Sequence, residues 1–141
     1  MSYQIVVGVD GSENSTRALR WAVEEAQLRD GKVTALFAWE LPLIGIPGAF
    51  DRDQVEAEAK ALVAGQVASA SADGLVEAVA AQGDPSASLI AACQRTDADL
   101  LVLGSRGREG FSGLLLGSVG QECTAYAPCP VLIVKDKRSA A

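Results

Sequence analysis

The chain has 141 residues, 49% hydrophobic and 21% charged, with a formal net charge of −6. This length and composition are typical of one globular unit with its own core, so we expect a single domain over residues 1–141. The acidic charge disfavours nucleic acid and anionic membranes as partners, since both are negatively charged. The sequence has neither an apolar run of membrane-spanning length nor the pattern of a signal peptide, so we expect a cytoplasmic protein.

Histidine and cysteine usage narrows the chemistry further. The chain has no histidine, which excludes a Ser-His-Asp triad, a Cys-His pair and imidazole zinc sites. Cys93, Cys123 and Cys129 are odd in number and form no C-x-x-C pair, which favours a reducing compartment over a disulfide scaffold. Within the segment LIAACQR, Cys93 is predicted to be a small core residue of a helix.

Apolar strands and amphipathic helices alternate along the whole chain. In chain order, the pattern predicts a strand over 4–9, a helix over 15–30, a strand over 32–39, a loop over 40–52, a helix from Asp53, a strand over 75–81, a helix from Pro85 to about Arg95, a strand over 99–104, a helix at about 118–127 and a strand over 131–135. Gly31 is predicted to terminate the first helix, and Asp53 with Glu56 has capping-box spacing for the second. Asp84 before Pro85 is a predicted cap of the third helix.

Near-continuous apolar strands that alternate with helices indicate a parallel sheet covered on both faces. We therefore predict an α/β fold with one doubly wound five-stranded sheet. Ligands of such sheets bind at the carboxyl ends of the strands, where the winding reverses.

The run GSRGREGFSGLLLGSV over residues 104–119 is the strongest functional signal. It connects a predicted strand to a predicted helix that opens at Ser118. Glycines let a ligand approach the backbone closely, and a helix start offers unpaired N–H groups and partial positive charge, so this arrangement suits phosphate. Arg106 and Arg108 add local positive charge to an acidic protein. The alternative is a flexible surface loop with two solvated arginines.

The loop matches neither of two better-known glycine motifs. Gly117 is not followed by the lysine of a P-loop, and the spacing from Gly104 to Gly107 does not fit G-x-G-x-x-G. Its spacing, G-x2-G-x9-G-[ST], resembles the adenine-nucleotide loop of ATP-binding universal stress proteins.

The resemblance to the universal stress protein family extends over essentially the whole chain. The segments VVGVDGSENSTRALRWA, ADLLVLGSRG and APCPVLIV are similar to three family segments in the same order. The resemblance implies a strand order of 3-2-1-4-5, with the winding reversal between the first and fourth strands.

The resemblance also implies the nucleotide contacts. Asp10 would help hold the adenosine end, Gly8 would permit close approach, and Ala38 would line the adenine pocket. The ribose and phosphates would be bordered by Gly104, Arg106, Gly107, Arg108, Gly117, Ser118 and Val119. A magnesium ion is expected between the phosphates, because it prefers oxygen ligands. The alternatives are a turn or cap role for Asp10 and an ordinary N-cap role for Ser118.

ATP binding with slow or no hydrolysis is the expected function, in a nucleotide-responsive module of stress adaptation. Fast phosphoryl transfer needs positioned charge and an aligned nucleophile, and the loop has no P-loop lysine, no evident metal-carboxylate pair and no histidine base. Three other functions stay open. An ATP pyrophosphatase or adenylating enzyme usually has SGGxDS where this chain has VDGSENS, an electron-transfer-flavoprotein type of domain would bind FAD, and another adenine nucleotide such as cyclic AMP is a further candidate ligand.

In the implied strand order, the last strand lies at an edge of the sheet. It is formed by Val131, Leu132, Ile133 and Val134. An apolar edge strand invites pairing with another chain, so we expect a homodimer through this strand. The alternative is an edge that other parts of the same chain cover.

Overall fold

The described residues form a five-stranded parallel sheet with helices on both faces. The computed structural model describes residues 2–41, 51–70, 74–105 and 116–135. The elements are β1 (Gln4–Gly8), α1 (Glu13–Leu28), β2 (Lys32–Trp39), α2 (Arg52–Ala70), β3 (Val76–Gln82), α3 (Pro85–Thr96), β4 (Leu100–Gly104), α4 (Ser118–Tyr126) and β5 (Val131–Val134). The strand order is β3-β2-β1-β4-β5, which confirms the predicted doubly wound α/β fold.

The helix ends differ from the predictions. α1 spans Glu13–Leu28 instead of 15–30 and ends before Asp30, which takes the left-handed conformation (φ 55°), so Gly31 does not terminate this helix. Gly31 is required for another reason, because a Cβ there would overlap the carbonyl oxygen of Tyr3. The cap of α2 is Asp51 and not Asp53, since Asp51 Oδ1 accepts the N–H of Asp53 at 2.9 Å.

The predicted cap of α3 is confirmed. A carboxylate oxygen of Asp84 accepts the N–H of Ala87 at 3.0 Å, and Pro85 is the first helical residue. Proline suits this position because its missing N–H would have no partner within the helix.

The central strand β1 is buried on both faces of the sheet. Ile5 and Val7 pack into a cluster with α1 and α2, whereas Val6 packs into a second cluster with α3 and α4. This double burial explains why β1 is apolar at successive positions instead of alternating. No helix that the structure describes is long and apolar enough to cross a membrane.

The strand register brings the carboxyl ends of β1, β4 and β5 together, along what we call the carboxyl edge of the sheet. β1 pairs with β4 through Val7 and Val102, and β4 pairs with β5 through Gly104 and Val134. The chain winds toward β2 and β3 on one side of β1 and toward β4 and β5 on the other. The winding therefore reverses between β1 and β4, as expected, and their carboxyl ends flank the reversal.

Gly65, on the exposed face of α2, provides a test of the helix assignment. A Cβ at this position would have no atom within 4 Å. We expect Gly65→Ala to raise the free energy of unfolding by about 0.5–1 kcal/mol, because alanine loses less conformational freedom in a helix. Urea unfolding followed by circular dichroism measures this change, and a destabilised variant would contradict the helical assignment at Gly65.

Candidate functional site

The turn between β1 and α1 carries Asp10 and is closed by short polar side chains. Asp10 Oδ1 accepts the N–H of Ser12 at 2.9 Å, and Gly11 has a φ of 84°, which favours glycine. Ser12 caps α1 by accepting the N–H of Ser15 at 3.1 Å. Asp10 thus has the turn role considered above, and Ser12 is the helix cap.

A buried glutamine from α2 holds the same turn. Gln66 is 7% exposed, and its Oε1 accepts the N–H of Gly11 at 2.9 Å. Its Nε2 lies 2.8 Å from the hydroxyl oxygens of both Ser15 and Thr16. Gln66 is not among the site residues predicted from the sequence. A signal was present, since this polar residue follows the buried Ala59 and Val63 at helical spacing.

At two of the predicted site glycines, Gly8 and Gly104, neighbouring parts of the fold occupy the space that a Cβ would need. A Cβ at Gly8 would lie 2.8 Å from Cδ2 of Leu103 and 3.1 Å from Cδ1 of Leu89. A Cβ at Gly104 would lie 2.5 Å from Oδ1 of Asn14 and 3.2 Å from its backbone carbon. Gly104 therefore allows the first turn of α1 to approach the end of β4, and Gly8 makes room for apolar side chains.

The start of α4 is tied to the end of β4 by a backbone hydrogen bond. The N–H of Gly117 donates to the carbonyl oxygen of Ser105 at 3.0 Å. Gly117 has a φ of −73°, and among the described residues a Cβ there would have only that carbonyl oxygen within 4 Å, at 3.8 Å. Neither strain nor crowding within the described fold thus requires glycine at position 117.

Gly117 is also the N-cap of α4, so the cap role considered for Ser118 is wrong. Ser118 is the first helical residue and is exposed, and Val119 follows it. Gly117 has no side chain to accept the first N–H groups of the helix, and the first turn contains no acidic residue. These N–H groups and the helix dipole therefore favour an anion.

Ala38 lies beside the turn that carries Asp10. The N–H of Val9 donates to the carbonyl oxygen of Leu36 at 2.9 Å, which continues the ladder between β1 and β2 toward Ala38. Ala38 pairs in register with Ala81 of β3 and packs against the cluster of α3 and α4.

The structure thus brings Gly8, Asp10, Ala38, Gly104, Gly117, Ser118 and Val119 to the carboxyl edge of the sheet. Arg106, Gly107 and Arg108 lie outside the described residues. Among the residues that the structure describes, there is no group of three or more His, Cys, Asp or Glu side chains able to hold a metal ion.

At the amino ends of the strands lies an open depression lined by residues that include Tyr3, Gln4, Arg29 and Asp99. The carboxylate of Asp99 accepts the N–H of Gln4 at 2.8 Å. Arg29 pairs with Glu25 at 2.7 Å and stacks over the ring of Tyr3, with 4.6 Å from Cζ to the ring centroid. These contacts hold the end of α1 and the start of β4 against the start of β1, which is a structural role.

Cys93 and Cys123 are core thiols on the α3 and α4 side of the sheet, and the half-buried Cys129 packs against the same cluster. Burial, with a further contribution from the neighbouring Cys129, raises the pKa of Cys93 to about 12. Burial, with the nearby charges of Glu122 and Asp84, raises the pKa of Cys123 to about 11. The core role predicted for Cys93 is confirmed by its 1% exposure.

Thiol labelling tests this assignment. Because thiolate is the reactive form, we expect Cys93 and Cys123 to resist a disulfide reagent at both pH 7 and pH 9, a range in which an ordinary thiol becomes largely ionised. The half-buried Cys129 should react first. Mass spectrometry of the labelled peptides gives the order, and labelling of native Cys93 at the rate of an exposed thiol would contradict its burial.

The chain has an open parallel sheet, with a helix N-terminus and an acidic turn where the winding reverses. This architecture is typical of α/β proteins that bind ligands at the carboxyl ends of the strands. More narrowly, the chain belongs to the universal stress protein family, whose family model matches residues 1–135. It is 33% identical over 137 residues to Universal stress protein Rv2623 of Mycobacterium tuberculosis, covering 94% of this chain and 45% of that protein. It is 32% identical over 133 residues to the universal stress protein in QAH/OAS sulfhydrylase 3' region of Thermus aquaticus, covering 93% of this chain and 97% of that protein. The chain therefore spans less than half the length of the mycobacterial relative.

Two solved structures of the family contain an adenine nucleotide. One is a universal stress protein in complex with cAMP, with a TM-score of 0.66 and 29% identity, covering 95% of this chain and 97% of that chain. The other is the universal stress protein from Archaeoglobus fulgidus in complex with dAMP, with a TM-score of 0.63 and 29% identity, covering 94% of this chain and 98% of that chain. Adenine nucleotides are thus ligands of similar proteins with the same fold.

Proposed function

We propose that this chain is an ATP-binding universal stress protein that acts in the cytoplasm as a nucleotide-responsive module of stress adaptation. The observation that carries the proposal is the first turn of α4, which has no acidic residue or capping side chain and is held beside the end of β4 by the hydrogen bond from Gly117 to Ser105. The turn that carries Asp10 ends the neighbouring strand β1. One edge of the sheet thus offers a group for the nucleoside and N–H donors for phosphate.

In this arrangement, Asp10 and Ala38 hold the adenosine end beside β1 and β2. The ribose and first phosphates lie along Gly104, Arg106, Gly107 and Arg108, and the distal phosphates reach Gly117, Ser118 and Val119. A magnesium ion would be held mainly by phosphate oxygens, since it binds nucleotides through them and keeps several waters. It would offset the charge of the phosphates.

Hydrolysis at this site is expected to be slow or absent. The N–H groups of α4 contact the phosphates in the bound state as well as in a transition state, and such uniform binding does not accelerate chemistry. The chain has no histidine to act as base, and no lysine follows Gly117. The module would therefore respond to nucleotide occupancy, by the difference in ATP affinity between its conformations or assemblies.

A second candidate ligand is cyclic AMP, which is favoured by the relative solved with cAMP. The two ligands share the nucleoside and differ in their phosphates. A triphosphate extends from the ribose toward α4, whereas a cyclic monophosphate stays at the ribose. A change at the start of α4 should therefore separate them.

Gly117→Ala tests the phosphate site. The backbone at Gly117 tolerates alanine, so we expect a stability cost below about 1 kcal/mol, from the weaker N-cap alone. A methyl group beside the first N–H groups of α4 should raise the Kd for ATP at least about tenfold, equivalent to about 1.4 kcal/mol, and leave the Kd for AMP nearly unchanged. Isothermal titration calorimetry with ATP, AMP and cyclic AMP, each with magnesium, measures these values.

Gly65→Ala is the matched control, because it adds the same methyl group on the exposed face of α2. It should leave all three affinities unchanged. An unchanged ATP affinity in a folded Gly117→Ala protein would place the distal phosphates elsewhere. A parent protein that binds cyclic AMP much more tightly than ATP would favour the second ligand.

We also propose a homodimer through β5, which lies at an edge of the sheet. The carbonyl oxygens of Pro130 and Val134 accept hydrogen bonds from the β4 side, so the backbone groups of Val131 and Ile133 face away from β4. The side chains of all four β5 residues are only partly buried. Pairing with β5 of a second copy would satisfy the outward backbone groups and cover the side chains.

Ile133→Pro tests this interface, because proline removes an outward N–H that the sheet of one chain does not use. We expect Ile133→Pro to be monomeric at concentrations where the parent is dimeric. Ile133→Ala is the control, since it also removes the side chain but keeps the N–H, and it should remain dimeric. Light scattering after size-exclusion chromatography reads the mass, and a monomeric parent or a dimeric Ile133→Pro protein would refute the interface.

A further inference from the structure

The side chain of Gln66 connects two segments that lie about 50 residues apart in the chain. It projects from the core-facing side of α2, which also presents Ala59 and Val63, and ends at the turn after β1. A buried amide costs free energy unless its donors and acceptors are paired. Here the acceptor Oε1 and both hydrogens of Nε2 have partners at 2.9, 2.8 and 2.8 Å.

Gln66 acts on both peptide groups that flank Asp10, directly on the one that follows it and through Ser15 on the one that precedes it. On one side, Oε1 accepts the N–H of Gly11, the residue that follows Asp10. On the other side, Nε2 donates to Ser15 Oγ, the same atom that accepts the N–H of Asp10 at 3.2 Å. The hydroxyl of Ser15 in turn donates to the carbonyl oxygen of Ser12 at 3.0 Å. The amide of Gln66 therefore fixes the backbone that sets the direction of the Asp10 side chain.

We propose that Gln66 is a positioning residue for nucleotide binding, which holds the Asp10 turn in the conformation that receives the nucleoside. This role rests on the proposed function and adds to it a residue of α2 that does not itself touch the ligand. If the turn were mobile, ordering it on binding would cost free energy. A turn that Gln66 already holds avoids this cost.

The role predicts which part of the nucleotide is affected. Because Asp10 acts at the adenosine end, loss of the Gln66 amide should raise the Kd values for AMP and ATP by the same factor. This pattern is the opposite of that expected for Gly117→Ala, which separates the two ligands. It also makes α2 part of the site, since a displacement of this helix would move the Asp10 turn.

Gln66→Met is the main variant, because methionine keeps the length and apolar stem of the side chain and removes its amide. Val63→Ala is the matched control. Val63 is buried one turn earlier on α2 and packs in the apolar core, so its truncation destabilises the protein without touching the Asp10 turn. The full chain is used throughout.

Calorimetry with AMP and ATP should give Kd values raised about tenfold in Gln66→Met and unchanged in Val63→Ala, although both variants melt at lower temperature than the parent. On an Asp10→Asn background, Gln66→Met should change the Kd less than about twofold, because its effect passes through Asp10. Thr16→Val, which removes one partner of the amide, should give a smaller loss of the same kind if Gln66→Met does not fold.

Hydrogen exchange gives a second reading that does not depend on ligand. The amide of Gly11 should exchange faster in Gln66→Met than in Val63→Ala, since only the first variant removes its acceptor. Parent-like affinity in Gln66→Met, an equal loss in Val63→Ala, or an undiminished loss on the Asp10→Asn background would overturn the positioning role alone. A parent that binds neither AMP nor ATP would overturn the proposed function, and with it this role.

Discussion

The burial of β1 on both faces is the constraint on which the rest of the structure depends. A strand covered by α1 and α2 on one face and by α3 and α4 on the other must be apolar at successive positions, as Ile5, Val6 and Val7 are. Its two neighbours, β2 and β4, are reached by crossovers on opposite sides. The winding therefore reverses between β1 and β4, and the turn from β1 to α1 lies at the same end of the sheet as the start of α4. The position of the candidate site is thus a consequence of how the core is covered.

The glycines at this edge serve different purposes, although they look alike in the sequence. Gly8 and Gly104 are crowded by neighbouring parts of the fold, so their lack of a Cβ is a packing requirement. Within the part of the chain that the structure describes, Gly117 has an ordinary φ and only one atom within 4 Å of the position of a Cβ, so the described fold does not demand glycine there. In the proposed function, this glycine is instead explained by a ligand that approaches the backbone.

The polar network at the β1–α1 turn joins a surface turn to the packed core. Asp10, Ser12 and Ser15 close the turn locally, and Gln66 anchors it to a helix that enters the core. Since buried polar groups are costly when unpaired, each member of the network restricts the others. The conformation of Asp10 thus depends on the packing of α2 as well as on its own neighbours in the chain.

Hydrophobic periodicity and turn chemistry are local signals, so the alternation of strands and helices and the parallel sheet could be predicted from the amino-acid sequence, as could a candidate glycine loop after β4. With the family resemblance, the sequence also predicted the strand order and candidate residues such as Asp10 and Ser118. Three features become visible only in the folded chain: Asp51 and not Asp53 caps α2, Gly31 makes room for Tyr3, and Gln66 holds the Asp10 turn. The caps depend on which nearby side chain reaches a free N–H, and the other two depend on residues far apart in the chain. Periodicity carries no information about such contacts, because they arise only when the elements pack together.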